Sequence, residues 1–136
     1  MTTVIEFTER TVDWKLVGSP VQEAMSRPGD AFTYYDEVYG DGGEVIGHVL
    51  GFVTVAEVRA PDGHVITDYE EAVELPDGTI RVSGRADRAD MLAGGTVRFD
   101  AVGTSGAYTG LKGTREWYIE GPAGPDVVAH VKITLD

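Results

Sequence analysis

The side chains able to do chemistry are few in this chain of 136 residues. It has no cysteine, which excludes thiolate catalysis, disulfides and Cys-ligated zinc. His48, His64 and His130 stand far apart, and no two share a close metal-ligand spacing, so the reading is no metal. His64 comes directly after a turn glycine and reads as solvated, and His130 alternates with Val131 on a strand. The neighbours Asp36-Glu37 and Glu70-Glu71 cannot form close carboxylate dyads, because adjacent strand residues point to opposite faces. A carboxylate pair drawn from different strands stays open. Solvated faces account for most of these charges, with Arg81, Arg85 and Arg88 as natural cross-strand partners.

The run GTSGAYTGLKGTREW, from Gly103 to Trp117, has glycines enough for a phosphate loop, but it fails that test. It lacks the Gly-Lys-Ser/Thr ending of a Walker loop, and the residues after Gly113 lack a helical period. Arg115, Trp117 and Ile119 alternate with Thr114, Glu116, Tyr118 and Glu120, which is the period of a strand. The glycines therefore make a bend, with Tyr108 at or near it, and send Arg115 and Trp117 to one face. Tyr69 likewise shares a face with Val65, Thr67, Val73 and Leu75. Pointed inward, the two faces would give a phenol, an indole and a guanidinium among apolar groups, as in a pocket for a bulky organic ligand. Leu50, Phe52 and Val73 are assigned to its apolar wall and Tyr108 to a further substrate contact. An ordinary packed core would use the same residues, and their chemistry alone leaves both readings open.

Strands must position these groups. Val12, Trp14 and Leu16 alternate with Asp13 and Lys15, and Ala31–Tyr39 is aromatic-rich. Val45–Arg59 places Ile46, His48, Leu50, Phe52, Thr54 and Ala56 on one side, and Val49, Val53 and Val55 on the other. Further runs are His64–Leu75, Thr79–Arg88, Thr96–Val102, Thr114–Glu120 and Val127–Leu135, separated by turn residues such as the two PDG triplets. The one helical candidate is Ser19–Met25, with Ser19 as cap and Pro20 in the first turn. About eight antiparallel strands with little helix predict an all-β closed barrel, its strands apolar on both faces in places. The second face then suits another subunit. Residues 1–136 read as a single domain, with 1–30 an N-terminal strand plus a lid or loop segment. Eleven basic against 23 acidic residues, a net charge of −12, argue against nucleic acid and anionic membrane as partners. No run approaches the ~18 apolar residues of a membrane span or has the form of a signal peptide. The expectation is a soluble, cytoplasmic protein.

The segments YYDEVYGDGGEVIGHVLG, VITDYEEAVELPDGTIRVSG and AVGTSGAYTGLKGTREW together resemble the allene oxide cyclase-like barrel family. The resemblance spans roughly residues 32–121, and plant dirigent proteins share the architecture more distantly. Within the family the chain is most similar to bacterial spirotetronate cyclases of polyketide pathways. That resemblance implies a homodimeric eight-stranded barrel that catalyses an intramolecular [4+2] cycloaddition on a hydrophobic polyketide polyene, without a cofactor. It also implies roles: Tyr69 in TDYEE matches a tyrosine that hydrogen-bonds the dienophile, and Arg115 and Trp117 in TREW match an Arg-x-Trp pair lining the cavity. Residues of about 18–31 would form part of a lid. The absence of cysteine departs from the plant epoxide cyclases, and the absence of a signal peptide departs from dirigent proteins. Decalin and pyran closures also occur in the family, and a non-catalytic barrel binding a hydrophobic metabolite would use the same cavity. A cycloaddition predicts a nearly flat pH profile, whereas acid–base catalysis would require an inward carboxylate with a raised pKa.

Overall fold

A computed structural model describes residues 1–18, 25–122, 124 and 126–136. Eight strands form an antiparallel barrel closed in sequence order. They are β1 (Thr3–Val17), β2 (Ala31–Tyr39), β3 (Val45–Val58), β4 (Val65–Leu75), β5 (Gly78–Asp87), β6 (Val97–Gly103), β7 (Lys112–Glu120) and β8 (Val128–Leu135). Closure comes from β1 pairing with β8, Thr3 opposite Leu135 through Glu9 opposite Ala129. A strand of 15 residues, β1, can pair along one half with β8 and along the other with β2. The alternation from Val12 to Leu16 marks only the second half of it. Closure removes the long edge strands of an open β-sheet, with residues 10–17 of β1 pairing on one side only.

Alternation separates the inside from the outside. Val38, Val49, Val53, Val73, Ile80, Ile133 and Leu135 are fully buried in the lumen. On β3 the inward set is Val49, Val53 and Val55, while Leu50 and Phe52 lie on the outer face, 47% and 40% exposed. This corrects their assignment to a cavity wall: β-branched valines fill the narrow lumen, and the larger apolar side chains point outward. The connections β2–β3, β4–β5 and β6–β7 lie at one end of the barrel, and the other connections lie at the opposite end. At the first end Tyr108, in a 3-10 turn (Gly106–Tyr108), packs into the lumen. A Cβ at Gly103 would overlap the Tyr108 backbone, so only glycine lets the turn settle there.

At the second end Asp87 caps the short helix α1 (Arg88–Leu92), accepting from the backbone N–H groups of Ala89 and Asp90. Five residues are too few for a periodic pattern, so only the cap could have marked this helix in the sequence. Residues 19–24 fall outside the described residues; they hold the middle of the lid segment and all of the helix expected at Ser19–Met25 except Met25. Among the described residues, no helix is long and apolar enough to cross a membrane.

Candidate active site

The lumen is not filled at the α1 end. A cavity of about 450 Å³ opens there, lined by Trp14, Phe32, Tyr34, Met91, Leu92, Trp117, Ile119, Val127 and Ala129, with Tyr69, Glu71, Asp36, Glu9 and Arg115 deeper in. Its volume suits a small organic molecule. A register shift between Thr11 and Asp13 re-phases β1, so that Glu9 and Thr11 face the cavity and so does Trp14 beyond the bulge. Trp14 then meets Phe32 edge-on, their centroids 6.2 Å apart. Opposite them Tyr69, Phe99 and Trp117 form a second aromatic group, with centroid separations of 5.0, 6.2 and 6.0 Å. The indole N–H of Trp117 is buried with no acceptor among the described residues.

Tyr69, Arg115 and Trp117, taken from β4 and β7, thus line one cavity. The other predicted contacts do not. Val73 faces inward but is fully buried in the packed layer beyond the cavity, and Tyr108 closes the opposite end of the barrel. Leu50 and Phe52 lie on the outer face of β3. Neither the apolar wall nor the extra contact is therefore where the alternation pattern alone puts it.

A polar layer missed at the level of sequence forms the cavity floor. Arg115, 1% exposed, reaches across the lumen with Nη2 2.5 Å from Glu9 Oε1 on β1 and Nε 2.9 Å from Glu71 Oε1 on β4. The second approach is an ion pair without hydrogen-bond alignment. Tyr34 donates its hydroxyl hydrogen to Glu71 Oε2. Gly51 makes room for that phenol, since a Cβ there would fall on the Tyr34 ring. Burial opposes the charge on Arg115, but Glu71 and Glu9 outweigh it and lift its pKa above the usual value. Burial raises the pKa of Glu71, and Arg115 offsets part of that effect.

Asp36 is the third carboxyl, 5% exposed, and its Oδ1 has no partner among the described residues. Burial, then the neighbouring Glu9, push its pKa up to about 8. The solvated-face reading therefore fails for Asp36 and Glu71, though it holds for Asp68, which pairs with exposed Arg85 at 2.8 Å. A signal was present. Asp36 has the strand parity of Phe32 and Val38, and Glu71 that of Tyr69 and Val73.

The shift at Asp36 has a sign in stability. Its native pKa lies above the unfolded value of 3.8, so the contribution is fully present below that value and is lost as pH rises to about 8. The limiting slope is about 1.4 kcal/mol per pH unit. Urea midpoints are expected to fall between these limits, and Asp36→Asn is expected to flatten the fall. An unchanged slope in the variant would mean that Asp36 does not hold its proton in the native state.

His64, Asp87 and Asp90 form the one metal-like cluster among the described residues. Arg59 Nη2 already sits 2.9 Å from Asp87 Oδ2, and His64 Nδ1 lies 2.7 Å from the same atom. With Asp87 also capping α1, the group is explained by structural pairing. The burial of Tyr69 pushes its phenol up to about 12, so it remains a hydrogen-bond donor at working pH.

Comparison with known proteins bears on this arrangement. Residues 12–134 match the family description "Allene oxide cyclase barrel like domain". Among curated proteins, no sequence matches the chain. Among solved structures it is similar to AbnU, an exo-specific intermolecular Diels-Alderase, at 32% identity, TM-score 0.82, over 99% of this chain and 96% of that one. It is also similar to the Diels-Alderase AbmU from Streptomyces koyangensis, at 28% identity and TM-score 0.80, covering 99% of this chain. A third, described as a nonspecific heme-binding cyclase that catalyses [4+2] cycloaddition during neoabyssomicin biosynthesis, is 26% identical with TM-score 0.81, again over 99% of this chain. The chain spans 63% of each of the last two. Among the described residues the cavity lining has neither histidine nor cysteine, while Tyr34, Tyr69 and Met91 are of types that can ligate heme iron.

Proposed function

The chain belongs to the allene oxide cyclase barrel-like family, and on that footing we propose that it is a cofactor-independent cyclase of natural-product biosynthesis. The reaction is a [4+2] cycloaddition that folds a linear, hydrophobic polyketide polyene into a ring, a spirotetronate-type closure. The observation that carries this reading is the convergence of Tyr69, Trp117 and two aromatic walls on one interior cavity, in a barrel similar along its whole length to a Diels-Alderase.

Such a reaction requires positioning more than reactive groups. Holding diene and dienophile in a near-attack geometry contributes up to roughly 7–11 kcal/mol. Trp117 and Phe32 restrict the polyene, and Tyr69, itself buried, donates to the dienophile carbonyl deep in the cavity. Two carboxylates hold Arg115 in place, and its Nη1, without a partner among the described residues, is a second donor in the same cavity. We take both reacting halves to belong to one molecule, and the enzyme to work as a soluble, cytoplasmic homodimer. The exposed outer-face Leu50 and Phe52 support the dimer.

Incubation with a linear polyene bearing an enone is expected to yield an isomer of unchanged mass, and Tyr69→Phe is expected to slow it roughly tenfold. Recovery of unchanged, protein-bound polyene would leave a metabolite-binding barrel instead. Turnover only of a separate diene and dienophile would replace the intramolecular reading with an intermolecular one. Sedimentation of the same preparation at the single-chain mass would remove the dimer.

A further inference from the structure

The cavity floor holds three carboxyl groups and one guanidinium. Arg115 is shared between Glu9 and Glu71, and Tyr34 donates to Glu71. Asp36 stands on β2 opposite Thr11 of β1, with apolar Val49 beside it on β3. The titratable groups facing it across the lumen are Glu9 on β1, Tyr34 on its own strand, Tyr69 and Glu71 on β4, and Arg115 on β7. The only cation among them is already paired twice. A second anion beside Glu9 would be uncompensated, and a buried carboxyl so placed keeps its proton. Asp36 lines the cavity while its Oδ1 has no partner among the described residues. Thr11 and Glu9 hydrogen-bond the Asp36 carboxyl, and a proton carried on the unpartnered Oδ1 would be a further donor at the cavity floor.

We propose that Asp36 is a catalytic residue, its protonated carboxyl donating a hydrogen bond to the carbonyl oxygen of the substrate's dienophile and acting together with the Tyr69 phenol. The inference rests on the cyclase reading and deepens it. Two donors on one carbonyl withdraw electron density from the attached alkene and fix its orientation to the diene. No proton leaves Asp36 and no bond to the protein forms, so substrate and product are isomers. The substrate class is thereby narrowed to polyenes whose electron-poor partner carries a carbonyl oxygen able to accept both hydrogen bonds.

The flat pH profile expected of a cycloaddition is replaced by a profile with one descending limb. Background-corrected rates, normalised to the folded fraction, are to be measured from about pH 5.5 to 9.5 in wild type, Asp36→Asn and Asp36→Leu. Wild type is expected to hold a plateau and then fall towards tenfold per pH unit above about 8, the value for Asp36. Asp36→Asn keeps an N–H donor and is expected to stay active with no descending limb. Asp36→Leu fills the space without a donor and is expected to be at least about tenfold slower than wild type at the plateau. A flat wild-type profile, or Asp36→Leu as fast as wild type, overturns the role of Asp36 and leaves the cyclase reading standing. Wild type that forms no isomer at any pH overturns both.

Discussion

Arg115→Leu is expected to destabilise the protein by about 3–5 kcal/mol, the cost of leaving a buried charge without its partner. Two carboxylates depend on this guanidinium, Glu9 on β1 and Glu71 on β4, and both are buried. Without it they must take up protons or remain as unpaired anions in the lumen. The loss should shrink at acid pH, where protonation relieves the repulsion. A combined Glu9→Gln, Glu71→Gln, Arg115→Met variant removes all three charges and should recover much of the stability, since neutral replacements of buried ion pairs are often tolerated. Denaturant unfolding of the single and combined variants at two pH values makes the comparison. A single variant within about 1 kcal/mol of wild type would show that the ion layer does not hold the barrel together.

Trp117→Ala should impair both folding and turnover. The indole packs edge-on against both Tyr69 and Phe99 and forms part of the cavity wall. Truncating a buried aromatic costs about 3–5 kcal/mol. It also widens the space in which the polyene must fold, and misplacement on that scale reduces rate by roughly a hundredfold. Trp117→Phe separates the two effects, because it keeps an aromatic wall but loses the unpartnered N–H. Single-turnover rates measured on folded protein are the readout. If Trp117→Ala matched wild type, the wall would have no part in shaping the reacting conformer.

The barrel was legible because alternation is a direct consequence of strand geometry. Arg115 and Trp117 could be placed on one face, and Tyr69 on another, from parity alone. Parity does not say which face is inside. On β3 both sets are apolar, so Leu50 and Phe52 read as inward when small valines in fact fill the lumen. Asp36 and Glu71 read as solvated, and Glu9 does not stand out at all, for the opposite reason: a cavity-facing charge and a solvent-facing charge have the same letter in a sequence. Their meaning depends on which strands closure brings together, with Glu9 and Arg115 106 residues apart. The bulge that turns Trp14 inward is likewise a matter of register between strands, and composition carries no record of it.

The seating of Tyr108 in the lumen has a consequence for molecular traffic. Among the described residues the barrel is a blind-ended vessel: Tyr108 fills one end, and the cavity opens at the other, beside α1. A substrate cannot pass through it, and product must leave by the doorway through which the chain came in. On the reaction proposed above, a long polyene threads inwards, but a rigid ring must back out whole. Departure of product and arrival of the next substrate therefore exclude each other, and the width of that one doorway governs how quickly the vessel is emptied.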